Sequence, residues 1–342
     1  MIPAKATLTP AEKLVGEILP NGWTVESHVK KKPGATGGYF SVGYVVRHKD
    51  GHEAYLKAID FSDAFKSSDP ARKLEDLTKT YNFERDLLEM CRNKKLDRVV
   101  HALEDGNLTI DGLPVPYIIF EMADGDMRAH MNLSQRFDLA WTLRMLHHVT
   151  VGLSQLHGVG IAHQDIKPSN VLVFHGLVSK LTDLGRSAHP DHEVTHNEGD
   201  IPGGLAYAPP ELRYGFKDPD FKKHRFGSDT FLLSNIILFA FTLQTMSSVL
   251  FASLSPQHMP VTWKGTFQEV LPYLQNAFND ALVDVAPHIP EEVREEIILI
   301  LRQLGEPDPE KRGDPLSRNN FSLQRFITRL DVLAYKAERN LF

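Results

Sequence analysis

The chain has 342 residues, which suits one large domain or two lobes with ample length for a core. Its hydrophobic content of 42% and charged content of 24% are ordinary for a globular protein, and a net charge of −6 gives no basic surface for nucleic acid or acidic membranes. The single cysteine excludes an internal disulfide framework, and the first residues lack the apolar run of a signal peptide, so we expect a cytoplasmic protein.

The first third of the chain predicts a small sheet and one main helix. A short helix is predicted over residues 10–18 and a long helix over 69–95. The predicted strands cover residues 23–30, 39–48, 53–59, 99–103 and 115–122. Lys49-Asp50-Gly51 and Asp111-Gly112 have the composition of hairpin turns.

One lysine in this region needs an anionic partner. Lys57 lies among apolar neighbours on the third predicted strand, and burying an unpaired ammonium is costly. Glu84, followed by apolar residues three and four positions later, is our choice of partner, and Asp86 is a rival after a small helix rotation. The turn over 31–38 contains glycines, which let backbone N–H groups approach phosphates.

Polar groups of several kinds are concentrated in residues 163–185. A strand over 171–173 and its hairpin partner over 180–182 place Asp165, Lys167 and Asn170 on a loop before the first strand. Asp183 follows the second strand directly. A loop mounted on a rigid hairpin is a suitable support for chemistry.

The second half of the chain predicts helices. Residues 134–158 carry a helical stripe of leucines, and further helices are predicted over 264–303 and 322–339. The apolar run over 231–254 is interrupted by polar residues and has no basic cluster close by. A buried central helix beginning near residue 228 is therefore favoured over a membrane span.

The loop over 163–170 and the segment after it resemble eukaryotic-type serine/threonine protein kinases. The loop is similar to the family's His-Arg-Asp-x-Lys-x-x-Asn, with Gln164 in the place of Arg. Thirteen residues after Asn170, Asp183 begins a segment similar to Asp-Phe-Gly, with Leu184 in the place of Phe. The resemblance covers roughly residues 23–335.

The resemblance implies an α+β, two-lobed fold. Residues 1–22 would be an extension, residues 23–123 a small antiparallel lobe with one main helix, and residues 124–342 a larger, mostly helical lobe. It also implies ATP and Mg²⁺, or Mn²⁺, as cofactors and a protein as substrate, with no nucleic-acid or membrane partner. The oligomeric state is left open.

The same resemblance assigns roles to individual residues. Asp165 would accept or orient the hydroxyl proton of the acceptor, and Lys167 would neutralise charge on the moving phosphoryl group. Asn170 and Asp183 would bind the metal through oxygen atoms. The residues implied for nucleotide binding are Lys57, Glu84, Gly37, Gly38, Val42, Glu121 and Ala123. The residues implied to be structural are His163, Asp229 and a buried ion pair of Glu211 with Arg312.

Two departures from the family pattern modify these expectations. Gln164 removes the cation that often receives an activation-loop phosphate, so we predict no strict dependence on phosphorylation of that loop. Ser187 and Thr195 are the candidate phosphorylation sites there. Gly204 stands where such kinases often carry a Thr that contacts the catalytic Asp, which bears on efficiency and acceptor choice.

Three alternatives are carried forward. A small-molecule kinase of the aminoglycoside or choline type shares the Asp and the downstream Asn but usually lacks the loop lysine. A pseudokinase would bind ATP or only a partner. Residues 192–196 also spell His-Glu-x-x-His, a zinc-protease signature, although Pro202 occupies the third ligand position of its longer form.

Overall fold

The computed structural model describes residues 8–29, 41–133, 137–192, 201 and 203–342. The chain divides into two compact units, Met1–Asp124 and Gly125–Phe342. The first is built on an antiparallel sheet with one main helix, and the second is mostly helical. The predicted α+β fold class, with a small sheet lobe and a larger helical lobe, is confirmed.

The first unit centres on a five-stranded sheet in the order β1-β2-β3-β5-β4, with every neighbouring pair antiparallel. Its strands are β1 Trp23–His28, β2 Ser41–His48, β3 Glu53–Ile59, β4 Ala102–Ile110 and β5 Leu113–Glu121. Asp111 and Gly112, both with positive φ, form the predicted turn between β4 and β5. The strand predicted over 99–103 is wrong in extent, because the polar sequence of this half-exposed edge strand lacks an apolar run.

Helix α1, Pro70–Asn93, is the main helix of the first unit and follows a short 3-10 turn, Ala64–Lys66. Asp69 caps its start by accepting a hydrogen bond from the backbone N–H of Arg72 at 3.1 Å, and proline occupies its first position. Its buried residues are Leu77, Tyr81, Phe83, Glu84, Leu87, Leu88 and Cys91. The cap and this apolar face place one glutamate on the packed side of the helix.

Residues 8–22, which we call the N-terminal strap, cover one face of the sheet. The strap contains 3-10 turns at Pro10–Glu12 and Pro20–Gly22, and the helix predicted over 10–18 is wrong. Its buried apolar residues are Ala11, Leu14 and Leu19. Packing against the sheet outweighs local helix propensity here, and Gly16 turns the chain with a φ of +93°.

The second unit contains a three-stranded antiparallel sheet in the order β6-β7-β8. Its strands are β6 Gly125–Asp126, β7 Val171–Phe174 and β8 Val178–Leu181. Its helices are α2 Met127–Leu133, α3 Leu139–Gly158, α4 Pro210–Arg213, α5 Gly227–Thr242, α6 Met246–Ala252, α7 Phe267–Val285, α8 Glu291–Leu304 and α9 Gln324–Glu338. Strands β7 and β8 form the predicted hairpin, in which Val171 pairs with Leu181.

Helix α5 is buried along most of its length and continues from a π-helical turn, Lys222–Phe226. The helix ends at Thr242, where Leu243 adopts a left-handed φ of +60°, so the prediction that it continues to residue 254 is wrong. No single helix among the described residues combines the length and apolar character needed to cross a membrane. By length and composition alone, the pair Lys222–Thr242 and Met246–Ala252 meets that test, with a bend of 86° between them.

Candidate active site

Helix α5 anchors the loop over 163–170 through one buried carboxylate. Asp229 Oδ2 accepts from the backbone N–H of His163 at 2.7 Å, and Oδ1 accepts from the backbone N–H of Gln164 at 2.7 Å. The side chains of Gln164 and His157 add bonds of 3.0 and 2.9 Å. These bonds stabilise Gln164 at a φ of +63°, a strained value for a residue with a side chain.

The side chain of Gln164 is itself committed to a reciprocal pair of hydrogen bonds. Its Nε2 donates to the carbonyl of Arg225 at 2.8 Å, and a guanidinium N–H of Arg225 donates to Gln164 Oε1 at 3.1 Å. Gln164 therefore ties the loop to the chain segment that enters α5. A neutral amide stands here in place of the family's arginine.

His163 links the loop to the end of strand β8. The backbone N–H of Asp165 donates to His163 Nδ1 at 3.3 Å, so that nitrogen is an acceptor. The other nitrogen, Nε2, then donates to the carbonyl of Thr182 at 3.0 Å. The ring is fully buried and neutral in this arrangement, which agrees with a structural position for His163.

Asp165 is held through one of its two carboxylate oxygens. Oδ2 accepts from Lys167 Nζ at 2.8 Å and from Asn170 Nδ2 at 3.1 Å. Oδ1 is buried and has no hydrogen-bond partner among the described residues. Burial raises the pKa of Asp165 above its usual range, with Lys167 acting against the shift and Asp183 adding to it.

The two predicted metal ligands lie at adjoining positions of the loop and the hairpin. The backbone N–H of Thr182 donates to the carbonyl of Asn170 at 3.1 Å, and Asp183 follows with a φ of +65°. Asn170 Nδ2 donates to Asp165, and its amide oxygen, which accepts a hydrogen bond of 3.3 Å from the Ser169 hydroxyl, has a second lone pair for a cation. One amide and one carboxylate oxygen suit Mg²⁺, which takes its remaining ligands from phosphates and water.

No group of three or more His, Cys, Asp or Glu side chains in the described part of the chain is arranged to hold a metal ion. Of the zinc-protease signature only His192 lies within that part, and residues 193–196, with Thr195, lie outside it. Asn170 and Asp183 together supply fewer protein ligands than a zinc site needs. Their oxygens fit a cation bound jointly with a phosphorylated ligand.

In the first unit, Lys57 pairs with Glu84 across the sheet and helix α1. Nζ of Lys57 lies 2.9 and 2.8 Å from the two carboxylate oxygens of Glu84. The lysine side chain is 20% exposed and the glutamate side chain 5%. The rival Asp86 instead receives hydrogen bonds from Arg85. The strand and the capped helix therefore bring together the two residues that the sequence paired.

The register of β2 and β3 corrects one predicted nucleotide contact. Val42 pairs with Ala58, whereas Lys57 pairs with Gly43, so Val42 and Lys57 lie on opposite faces of the sheet. Val42 packs with the hydrophobic core beneath the N-terminal strap. Its assignment to the nucleotide site is wrong.

The face that carries Lys57 also carries two residues that the sequence analysis did not single out. Tyr55 lies two residues before Lys57 on β3, and a Cβ atom placed on Gly43 would meet the Tyr55 hydroxyl at 2.7 Å. A glycine at position 43 is therefore required by the tyrosine ring. Side chains alternate between the two faces of a strand. Counting along β2 and β3 from the Asp50-Gly51 turn could therefore have identified the residues that share a face with Lys57.

The remaining predicted nucleotide contacts are only partly described. The backbone N–H of Glu121 donates to the carbonyl of His101 at 3.2 Å, and its carboxylate accepts from the backbone N–H of His101 at 2.8 Å. Ala123 is half-buried at the end of this unit, and Gly37 and Gly38 lie outside the described residues.

Glu211 and Arg312 form a fully buried, bidentate ion pair with N–O distances of 2.6 and 2.8 Å. The arginine also donates to the carbonyls of Glu306, Pro307 and Gly227, so all five of its N–H groups have an acceptor. Bidentate pairing with complete satisfaction of the guanidinium is the arrangement in which a buried ion pair is most stable. The pair ties α4 to the segment after α8.

Two expectations for the segment after Asp183 need correction. Ser187 is fully buried, and its hydroxyl donates to the carbonyl of His163 at 3.3 Å, so it is not an accessible phosphorylation site. The glycine nearest Asp165 is Gly203, whereas a Cβ atom on Gly204 would meet nothing within 4 Å. The place next to the carboxylate is thus one residue earlier than predicted.

Comparison with known proteins agrees with this geometry. Residues 28–316 match the protein kinase domain family, and because this match covers more than half of the chain, the chain belongs to that family. Its relatives include serine/threonine-protein kinases, in agreement with the resemblance seen in the sequence.

Three relatives illustrate the similarity. The Aurora kinase of Debaryomyces hansenii is 30% identical over 174 residues, which cover 49% of this chain and 38% of that protein. Serine/threonine-protein kinase greatwall of Xenopus tropicalis is 25% identical over 170 residues, covering 49% and 17%. Serine/threonine-protein kinase/endoribonuclease IRE1 of Oryza sativa subsp. japonica is 30% identical over 179 residues, covering 51% and 17%. The matches thus span well under half of each relative's length.

Proposed function

We propose that this chain transfers the γ-phosphoryl group of ATP to serine or threonine hydroxyls of proteins, itself included, with Mg²⁺ or Mn²⁺ bound. The observation that carries the proposal is the state of Asp165. Its Oδ2 is held by Lys167 and Asn170, while Oδ1 keeps its lone pairs uncommitted among the described residues. A carboxylate so oriented, with a raised pKa, is suited to accept or orient a hydroxyl proton.

The other groups take roles that follow from their chemistry. Lys167 neutralises charge on the moving phosphoryl group, and Lys57, oriented by Glu84, contacts the nucleotide phosphates. Asn170 and Asp183 hold the metal. When bound, Mg²⁺ screens the phosphate charge and orients the phosphoryl group for in-line attack.

The proposal extends to the adenine and to the glycine turn. Adenine binding is assigned to the backbone of Glu121 and Ala123, and phosphate binding to Gly37 and Gly38, which lie outside the described residues. The kinase domain occupies residues 23–335. Because Gln164 is committed to Arg225, activity does not require a phosphate on the segment after Asp183. The buried, free Cys91 agrees with a reducing cytoplasmic compartment.

The test is incubation of the purified protein with Mg²⁺, γ-labelled ATP and a generic protein acceptor. We expect label on serine or threonine, lost in Asp165→Ala and retained in Asp284→Ala, an exposed carboxylate on α7. Label found only on kanamycin or choline would instead assign a small-molecule kinase. Binding of ATP without any transfer would assign a pseudokinase and overturn the proposal.

A further inference from the structure

Two consecutive glycines follow Pro202 in the sequence, and only one of them lies next to the candidate active site. Gly203 and Gly204 both have left-handed φ values, +75° and +88°. A Cβ atom on Gly203 would lie 2.8 Å from Asp165 Oδ1 and 3.2 Å from the carbonyl oxygen of Gln164. A Cβ atom on Gly204 would have no neighbour within 4 Å. The pair shares one backbone conformation but differs in its surroundings.

The atoms that Gly203 approaches cannot move aside easily. Asp165 is fixed by the bonds of its Oδ2 to Lys167 and Asn170, so rotation of the carboxylate away from position 203 breaks them. The main chain of Gln164 is fixed by Asp229. A carbon 2.8 Å from a carboxylate oxygen is closer than any real Cβ contact, and here the neighbour is rigid on both sides.

We infer that Gly203 is a positioning residue for phosphoryl transfer, an inference that rests on the proposed function. Because position 203 has no side chain, Oδ1 of Asp165 keeps its place while Lys167 and Asn170 hold Oδ2. The orientation of the carboxylate therefore depends on the hydrogen bonds to one oxygen and on the room that the glycine leaves beside the other. Gly203 itself contributes no group to the chemistry and acts through the orientation of Asp165.

The test compares Gly203→Ala with Gly204→Ala in the full chain. Both substitutions impose the same left-handed strain, so the unfolding temperature should fall in both variants, and further in Gly203→Ala because of the added close contacts. Only Gly203→Ala places a methyl group against Asp165. We expect kcat to fall by about 100-fold in Gly203→Ala with an unchanged KM for ATP, and to stay near the wild-type value in Gly204→Ala.

A double-mutant cycle separates positioning from a general defect. In an Asp165→Asn background, Gly203→Ala should leave the residual rate unchanged, because the group through which it acts is already lost. Equal losses of kcat in the two glycine variants, or additive losses with Asp165→Asn, would overturn the inference. A wild-type protein that transfers no phosphate would instead refute the proposed function, before either variant is compared.

Discussion

Asp229 and Asp165 are both buried carboxylates of the second unit, and they differ in how completely they are hydrogen-bonded. Each oxygen of Asp229 accepts two hydrogen bonds, from two backbone N–H groups and two side chains. Asp165 has two partners on Oδ2 and none on Oδ1 among the described residues. A buried carboxylate with hydrogen bonds to both oxygens stabilises the fold. A buried carboxylate with hydrogen bonds to only one oxygen can still accept a hydrogen bond from a ligand.

The same contrast separates two ion pairs. Arg312 in the second unit has all five N–H groups bonded and no exposed surface beside Glu211. Lys57 in the first unit keeps 20% of its side chain exposed beside Glu84. The first pair is fully buried, whereas the lysine of the second pair reaches solvent. Substitutions in both units can test whether the fully hydrogen-bonded groups contribute more to stability than the partly bonded or partly exposed ones.

The largest loss of stability is expected at the fully buried ion pair of Glu211 with Arg312. Arg312→Met leaves Glu211 buried without a cation, and we expect the free energy of unfolding in urea to fall by about 4 kcal/mol. Lys57→Met also leaves a buried carboxylate, Glu84, without its cation, but the lysine is 20% exposed, so we expect a smaller loss of about 2 kcal/mol together with loss of transfer from ATP. Arg318→Met, at an exposed position, is the control. Equal losses at Lys57 and Arg312 would contradict the contrast.

Substitution of the two aspartates tests the comparison directly. Asp229→Asn turns an amide N–H toward donors that need an acceptor, and we expect it to reduce the free energy of unfolding by about 3 kcal/mol. Asp165→Asn should cost less than about 1 kcal/mol, because only half of its hydrogen-bonding capacity is used. Chemical denaturation of both, beside the exposed control Asp284→Asn, measures the difference. A larger loss for Asp165→Asn would reverse the assignment of roles.

His224 provides a buried, unpartnered atom outside the site. Its Nε2 has no partner among the described residues, and burial lowers its pKa to about 4. The unfolded chain then binds a proton that the folded chain refuses, so stability is lost as pH falls from about 6.5 toward about 4. We expect His224→Leu to remove about 1 kcal/mol of the loss between pH 7 and pH 5, allowing for partial exposure of the ring.

Transfer of phosphate should be unaffected by His224→Leu, which distinguishes this atom from Asp165 Oδ1. Unfolding curves collected at several pH values for wild type and variant give the comparison. An identical pH dependence in the two proteins would mean that His224 is solvated. A large fall in phosphate transfer by His224→Leu would mean that this buried nitrogen outside the site also has a role in activity.

The smallest effect is expected at the other end of the helix that carries Asp229. Leu243 ends α5 in a left-handed conformation and is 65% exposed, so its side chain contributes strain without much packing. Leu243→Gly should raise the free energy of unfolding by about 1 kcal/mol. Leu316→Gly, at an exposed position without positive φ, should not stabilise. A rise in melting temperature for both would point to a cause other than backbone strain.

Fixed spacing allowed much of the site to be predicted. The loop with Asp165, Lys167 and Asn170, the hairpin after it and the pairing of Glu211 with Arg312 depend on local motifs, and motifs retain their geometry in a given fold. The Lys57–Glu84 contact followed from the cost of burying a lone ammonium. Each of these inferences depends on residue chemistry at a known separation.

The wrong predictions concern features that depend on long-range packing or on the exact position of a residue along a strand or loop. The strap is not an α-helix because its apolar residues pack against the sheet. The periodicity of the local sequence does not reveal this contact. Val42 was assigned to the wrong face, although parity across the hairpin would have excluded it. Gly204 was placed beside Asp165 by resemblance, and the one-residue difference from Gly203 became visible only in three dimensions.

The N-terminal strap lies outside the stretch by which the family is recognised, since the match begins at residue 28. The Tyr44 hydroxyl donates to the carbonyl of Ala11 at 2.5 Å, and the strap completes the core around it. Helix α9 lies beyond the other limit, residue 316, and its Asp331 and Glu338 both bind Arg144 of α3. Residues on both sides of the recognised domain therefore bury apolar surface, and recombinant fragments trimmed to residues 28–316 would expose it.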